Sequence, residues 1–151
     1  MAFRFPLEIL LRFQKSLERQ QELLLQVANH ELAQVAHQIE QTRSAIDGTF
    51  AQQERTLLSG APAVEVQFLG EYRNTLRDHA KSLQQELQRR QSERRRLLES
   101  FQDSRRKREM TETLRERAFH AYRERQAREQ QRNIDDLFMI LRARSGRGLP
   151  L

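Results

Sequence analysis

Ser59-Gly60-Ala61-Pro62-Ala63 is the one stretch of this 151-residue chain with the chemistry of a tight turn. Of the three prolines, Pro6 and Pro150 lie at the ends and Pro62 in this stretch. A proline inside a helix removes a hydrogen bond and clashes with the preceding turn, so proline-free stretches on either side permit two very long helices. The chain therefore reads as all-α, a long two-helix antiparallel coiled-coil hairpin. The expected organisation is a single coiled-coil domain, 1–151, with helix one over about 6–58, a turn at 59–63, helix two over about 63–143 and a frayed tail at 144–151.

Composition favours such a hairpin over a globule. Charged residues make up 32% and the hydrophobic class 37%, with no tryptophan, which is thin for a globular core but ample for a seam needing about two residues in seven. Full disorder competes for polar chains of this kind, and the sustained apolar periodicity argues against it. No cysteine is present, so thiol and disulfide chemistry are excluded. No apolar run approaches the ~18 residues of a membrane span. The amphipathic start resembles a transit peptide, but Glu8 and Glu18 intrude and the apolar pattern runs on into the first helix, so a removable leader is not expected.

In helix one the apolar series Leu10, Phe13, Leu17, Leu24, Ala28, Leu32, Val35, Ile39, Ile46, Phe50, Leu57 follows steps of three, four and seven, with a stutter through Ala28. Gln20 or Gln21, and Thr42 or Arg43, fall on this seam. Helix two offers Leu69, Tyr72, Leu76, Ala80, Leu83, Leu87, Leu97, Phe101, Leu114, Ala118 and Tyr122, with only Met110 apolar between Gln102 and Thr113.

A short turn makes the helices antiparallel neighbours, and facing residue numbers should sum to roughly 120–122. Phe50 then meets Tyr72, Ile46 meets Leu76, Ile39 meets Leu83, and Leu24 meets Leu97. Gly48 falls opposite Gly70, which suggests a close backbone approach or a bend. Helix two outruns helix one by about 22–25 residues, or roughly 35 Å. This overhang ends in Ile134, Leu137, Phe138, Ile140 and Leu141, an apolar patch with no internal partner, the usual mark of an interaction site.

Charge is uneven. Residues 1–58 carry six basic and seven acidic side chains, whereas 64–143 carry nineteen and fourteen. Nine basic residues stand against three acidic ones within Arg89–Arg108, but around the helix and without aromatic stacking partners, so nucleic-acid binding is not favoured. No phosphate loop occurs, and His30 and His37 have no carboxylate constellation for a metal. Two helices offer no concave pocket for a nucleophile, base and orienting group. No catalytic residue, cofactor, metal or small-molecule substrate is expected. The residues alone leave open a basic coiled-coil adaptor or nucleic-acid-associated protein, and a structural rod whose overhang self-associates.

The opening Phe3-Arg4-Phe5-Pro6-Leu7-Glu8-Ile9-Leu10-Leu11-Arg12 resembles that of the flagellar export protein FliJ family, and Asn133-Ile134-Asp135-Asp136-Leu137-Phe138 is similar to its C-terminal end. The resemblance implies a non-enzymatic coiled coil of the flagellar type III export apparatus, at the cytoplasmic face of the inner membrane, like the central stalk of rotary ATP synthases. Its helical termini would insert into the export ATPase ring, its hairpin region would meet the transmembrane export gate protein, and it would handle export chaperones. The implied ring-binding residues are Phe3, Phe5, Leu7, Leu10, Arg12, Ile134, Leu137 and Phe138. The implied gate-binding residues are Gln38, Phe50, Tyr72, Leu76 and His79.

Overall fold

A computed structural model describes residues 2–146; the expected frayed tail from Arg147 onward lies outside the described residues. Two helices, α1 (Glu8–Leu58) and α2 (Ala63–Ser145), pack against each other as an all-α helical hairpin. Helix α1 begins two residues later than Pro6, which sits in a turn with Leu7. The Glu8 amide donates to the Phe5 carbonyl (3.2 Å) and the Leu11 amide to that of Leu7 (2.9 Å), so one orphan donor of the first turn, that of Glu8, finds an acceptor outside the helix.

Helix α1 ends as the turn chemistry predicts. Gly60 has φ +72°, a conformation that costs any residue with a Cβ. Its amide donates to the Leu57 carbonyl (3.2 Å) and that of Ala61 to Thr56 (3.3 Å), the bond pair of a Schellman cap. Pro62 needs no amide partner, and its carbonyl accepts from Glu65 at the start of α2 (3.0 Å).

The helix-to-helix contacts divide the chain into two units, 18–104 and a second made of 1–17 with 105–151. In the first, Val35, Ile39 and Leu83 form a buried cluster with Leu87 packed against it. Facing seam numbers add to 122 in this cluster. Buried and half-buried residues of α1 include an unbroken run in steps of three and four, Leu11, Gln14, Glu18, Gln21, Leu25, Ala28, Leu32, Val35, Ile39, Thr42, Ile46, Thr49, Gln53, Thr56, with Glu8, Leu17, Glu31, Ala45 and Ala51 half-buried beside it. No stutter occurs at Ala28. The same spacing in α2 gives Val66, Leu69, Arg73, Leu76, Ala80, Leu83, Leu87, Arg90 and onward to Tyr122.

This register corrects the expected seam at both ends. Phe50 is 56% exposed and Leu57 59%, while Thr49 and Thr56 are buried; Leu24 and Tyr72 are also exposed. Apolarity alone chose the large side chains, but strict heptads carry the seam one residue aside, onto threonine and glutamine. The threonines satisfy themselves locally. The hydroxyls of Thr42, Thr49 and Thr56 donate to the carbonyls of Gln38, Ala45 and Gln52 at 2.8, 2.7 and 2.8 Å, leaving each methyl group for the seam. Within 102–113, where little seemed available to bury, Ser104 and Thr111 are buried and α2 runs unbroken.

The paired glycines do not mark a close approach. A Cβ on Gly48 would meet nothing within 4 Å, and one on Gly70 would reach only the Gln53 side-chain amide, at 3.4 Å.

Candidate functional site

The ring-binding residues implied by resemblance all belong to the unit of 1–17 and 105–151. Its most buried side chain is Leu11, 1% exposed, and ion pairs brace the two helices around it. Glu8 accepts from Arg115 Nε at 3.0 Å and Lys15 bridges to Glu112 at 3.3 Å. Glu112 also accepts from Arg108 at 2.6 Å; that bond first, and Lys15 second, hold its carboxyl below the usual glutamate range.

Residues 2–5 lie outside any helix and reach α2. The Phe3 ring meets Phe119 edge-on, with centroids 5.2 Å apart, and Tyr122 at 5.5 Å in a tilted contact. Phe3 and Phe5 are half-buried; Leu7, Leu10 and Arg12 are exposed, Arg12 with Glu8 at 3.9 Å. Ile134, Leu137 and Phe138 are exposed too, the last by 67%. Along α2, Ile134 lies about 18 Å beyond Tyr122, so the N-terminal and C-terminal halves of the set are not brought together.

The phase of the C-terminal patch differs from that of the seam. Steps of three and four carry the seam to Tyr122, and from Ala127 to Gly146 every residue is exposed. At 3.6 residues per turn, Ile134, Leu137, Phe138 and Leu141 centre roughly a third of a turn away from that seam line. A prolonged first helix in the same register would leave them uncovered. Met139, also exposed, belongs to the same apolar end and was not singled out by the sequence pattern.

The five gate-binding candidates, in the other unit, divide between faces. Gln38, Tyr72 and His79 each precede a seam residue, which puts them on one flank, and all three are exposed. Leu76 is a half-buried seam residue, and Phe50 follows Thr49 on the opposite flank. The Arg73 guanidinium lies 5.5 Å from the Phe50 ring centre and donates to Gln53 Oε1 at 2.8 Å. Near the turn, the sequence pattern also passed over Val64 and Phe68. Both are exposed beside a cleft of about 450 Å³ that they line with Gln52, Thr56, Glu65 and Leu69. Their position outside both seams was the available signal.

Much of the basic run is tied within the hairpin. Glu86 accepts from Arg89 and Arg90, both at 2.8 Å, and these bonds hold its carboxyl below the usual range. Arg90 also bonds Glu31, and Arg94 donates to Asn29 at 2.5 Å. The Asn29–Arg94 pair, the Phe50–Arg73 pair and, in the other unit, Glu8–Arg115 have numbers adding to 123. Successive pairs are three heptads apart, so an α2 seam arginine recurs beside the α1 residue that follows a seam position. Arg105 and Arg108 are likewise held by Glu109 and Glu112. Among the described residues no group of three or more metal-ligating side chains exists, and no helix is long and apolar enough to cross a membrane.

The family model described as Flagellar FliJ protein matches residues 3–147 of the chain. This chain belongs to the FliJ family. The match spans the half-buried N-terminal aromatics, both helices, the turn and the exposed apolar end, so membership attaches to the whole hairpin and links it to flagellar protein export. Comparison with curated proteins and with solved structures gave no match.

Proposed function

We propose that this FliJ-family chain is a non-enzymatic, stalk-like component of the flagellar export apparatus that engages the export ATPase ring through its N-terminal segment and the C-terminal end of α2. Phe3, Phe5, Leu7, Leu10 and Arg12 supply one part of that surface, and Ile134, Leu137 and Phe138 the other. The observation that carries this reading is the apolar end of α2, exposed and uncovered by any other of the described residues. Gln38, Tyr72 and His79 on one flank, with Leu76 beside them and Phe50 on the other, are the surface for the transmembrane export gate. Export chaperones are further partners, and the working place is the cytoplasmic face of the membrane at the flagellar base.

The test is capture of the flagellar export ATPase by the full chain, with hydrolysis rates measured with and without it. Replacing Leu137 and Phe138 together by serine is expected to abolish capture and stimulation while helicity by circular dichroism is unchanged. Undiminished stimulation by that double variant overturns the assignment of the apolar end.

A further inference from the structure

The C-terminal segment of α2 carries a short seam of its own. Gln131, Ile134, Phe138, Leu141 and Ser145 follow steps of three, four, three and four, the spacing of a coiled-coil core, and all five are exposed. Asp135 and Arg142 each stand one residue after a seam position, after Ile134 and Leu141 respectively. In the hairpin itself, Lys15 and Glu112 hold the same place after Gln14 and Thr111, and they form an ion pair across the two antiparallel helices at 3.3 Å. Asp135 accepts from Gln131 through Oδ1 at 2.8 Å, and Arg142 forms no side-chain bond among the described residues.

We propose that this face pairs with the same face of a second copy of the chain, antiparallel about a two-fold axis. In a seam register where Phe138 of each copy packs on Ile134 of the other, Leu141 meets Gln131, and facing seam numbers add to 272, five below the sum for Asp135 with Arg142, just as the hairpin's 122 lies five below the sum for Lys15 with Glu112. Asp135 of each copy then stands across from Arg142 of the other. The two-fold makes this ion pair twice, which is the self-complementarity an isologous contact requires. A parallel pairing puts the two copies of Asp135, and the two of Arg142, on opposite flanks of the seam, where they face Gln130 and Leu137 of the partner and form no ion pair. The charge pattern therefore selects both the occupant and its direction, which apolarity alone does not. Ile134 and Phe138 belong to the ring-binding surface as well, so a self-paired chain and a ring-bound chain exclude one another.

Sedimentation of the full chain alone tests self-pairing with no reference to the ATPase, and its outcome is separable from that of the stimulation assay. The interface is short, so a weak dimer with a dissociation constant on the order of micromolar or above is expected, as for transient contacts under about 1,200 Å². Asp135→Arg and Arg142→Asp should each weaken it roughly tenfold, since two ion pairs are lost and two repulsions gained. The double exchange, Asp135→Arg with Arg142→Asp, should restore the wild-type constant, and Ile134→Ser with Phe138→Ser should leave a helical monomer. A chain that is monomeric throughout overturns the proposal and leaves the face to a different protein. Dimers indifferent to the single exchanges, or a double exchange without rescue, overturn it equally.

Discussion

Arg73, a seam residue of α2, spreads its guanidinium 5.5 Å from the centre of the Phe50 ring, while its Nε is buried without a hydrogen-bond partner. The seam thus holds a cation where a leucine would pack, and one buried donor goes unmet. Replacing such a group by an apolar side chain of similar volume is commonly stabilising. Arg73→Leu is expected to raise the free energy of unfolding by about 1 kcal/mol, read from urea melts followed by circular dichroism. A lower midpoint would mean that the bond to Gln53 and the ring contact outweigh the unmet donor.

The threonine layers make a second prediction. Each hydroxyl bonds a carbonyl of its own helix, so removing it strands no partner across the seam. The triple change of Thr42, Thr49 and Thr56 to valine should stabilise the hairpin by about 1–2 kcal/mol, since methyl groups replace hydroxyls in the seam. A loss of stability in urea would show that those hydroxyls hold the helices in ways their local bonds do not reveal.

The glycines separate by conformation. Gly48 lies in α1 with open space around its absent Cβ, and Gly48→Ala should stabilise by about 0.5–1 kcal/mol through helix propensity. Gly60, at φ +72°, should lose about 1 kcal/mol when changed to alanine. Opposite signs for the two variants in one thermal-melt series check both.

Acid should loosen the end that holds the N-terminus. Glu112 titrates below the usual carboxylate range in the folded chain because it is bonded to Arg108 and Lys15. A carboxyl depressed by folding gives stability that is full above its unfolded pKa and is lost as pH falls through the folded one. Glu112→Gln should therefore melt below wild type at neutral pH, with the difference closing below about pH 4. A difference that persists unchanged into acid would point to packing, not to the ion pairs.

How far the sequence could be read depended on which force sets each feature. Proline positions and the Gly60 turn are local chemistry, and they placed both helices and the antiparallel arrangement. The pairing of Ile39 with Leu83 followed from the turn position alone. The seam ends were misread because Phe50, Leu57 and Tyr72 advertise burial by size, whereas a coiled coil buries by phase. Thr49, Thr56 and Arg73 hold those positions because the heptad passes through them. The exposed apolar end of α2 was legible as a patch; its rotation away from the seam was not, since it emerges only once the seam is fixed as far as Tyr122. The division of Gln38, Tyr72 and His79 from Phe50 was hidden for the same reason.

The constant sum that relates Ile39 to Leu83 and Val35 to Leu87 also governs how such a chain can change length in evolution. An insertion in one arm alone shifts every layer between it and the free end out of step. Arms can lengthen without penalty only by whole heptads added at facing points of both. Natural size variation in this hairpin is therefore expected to come in matched pairs, with the Ser59–Ala63 turn as the fixed origin of the count.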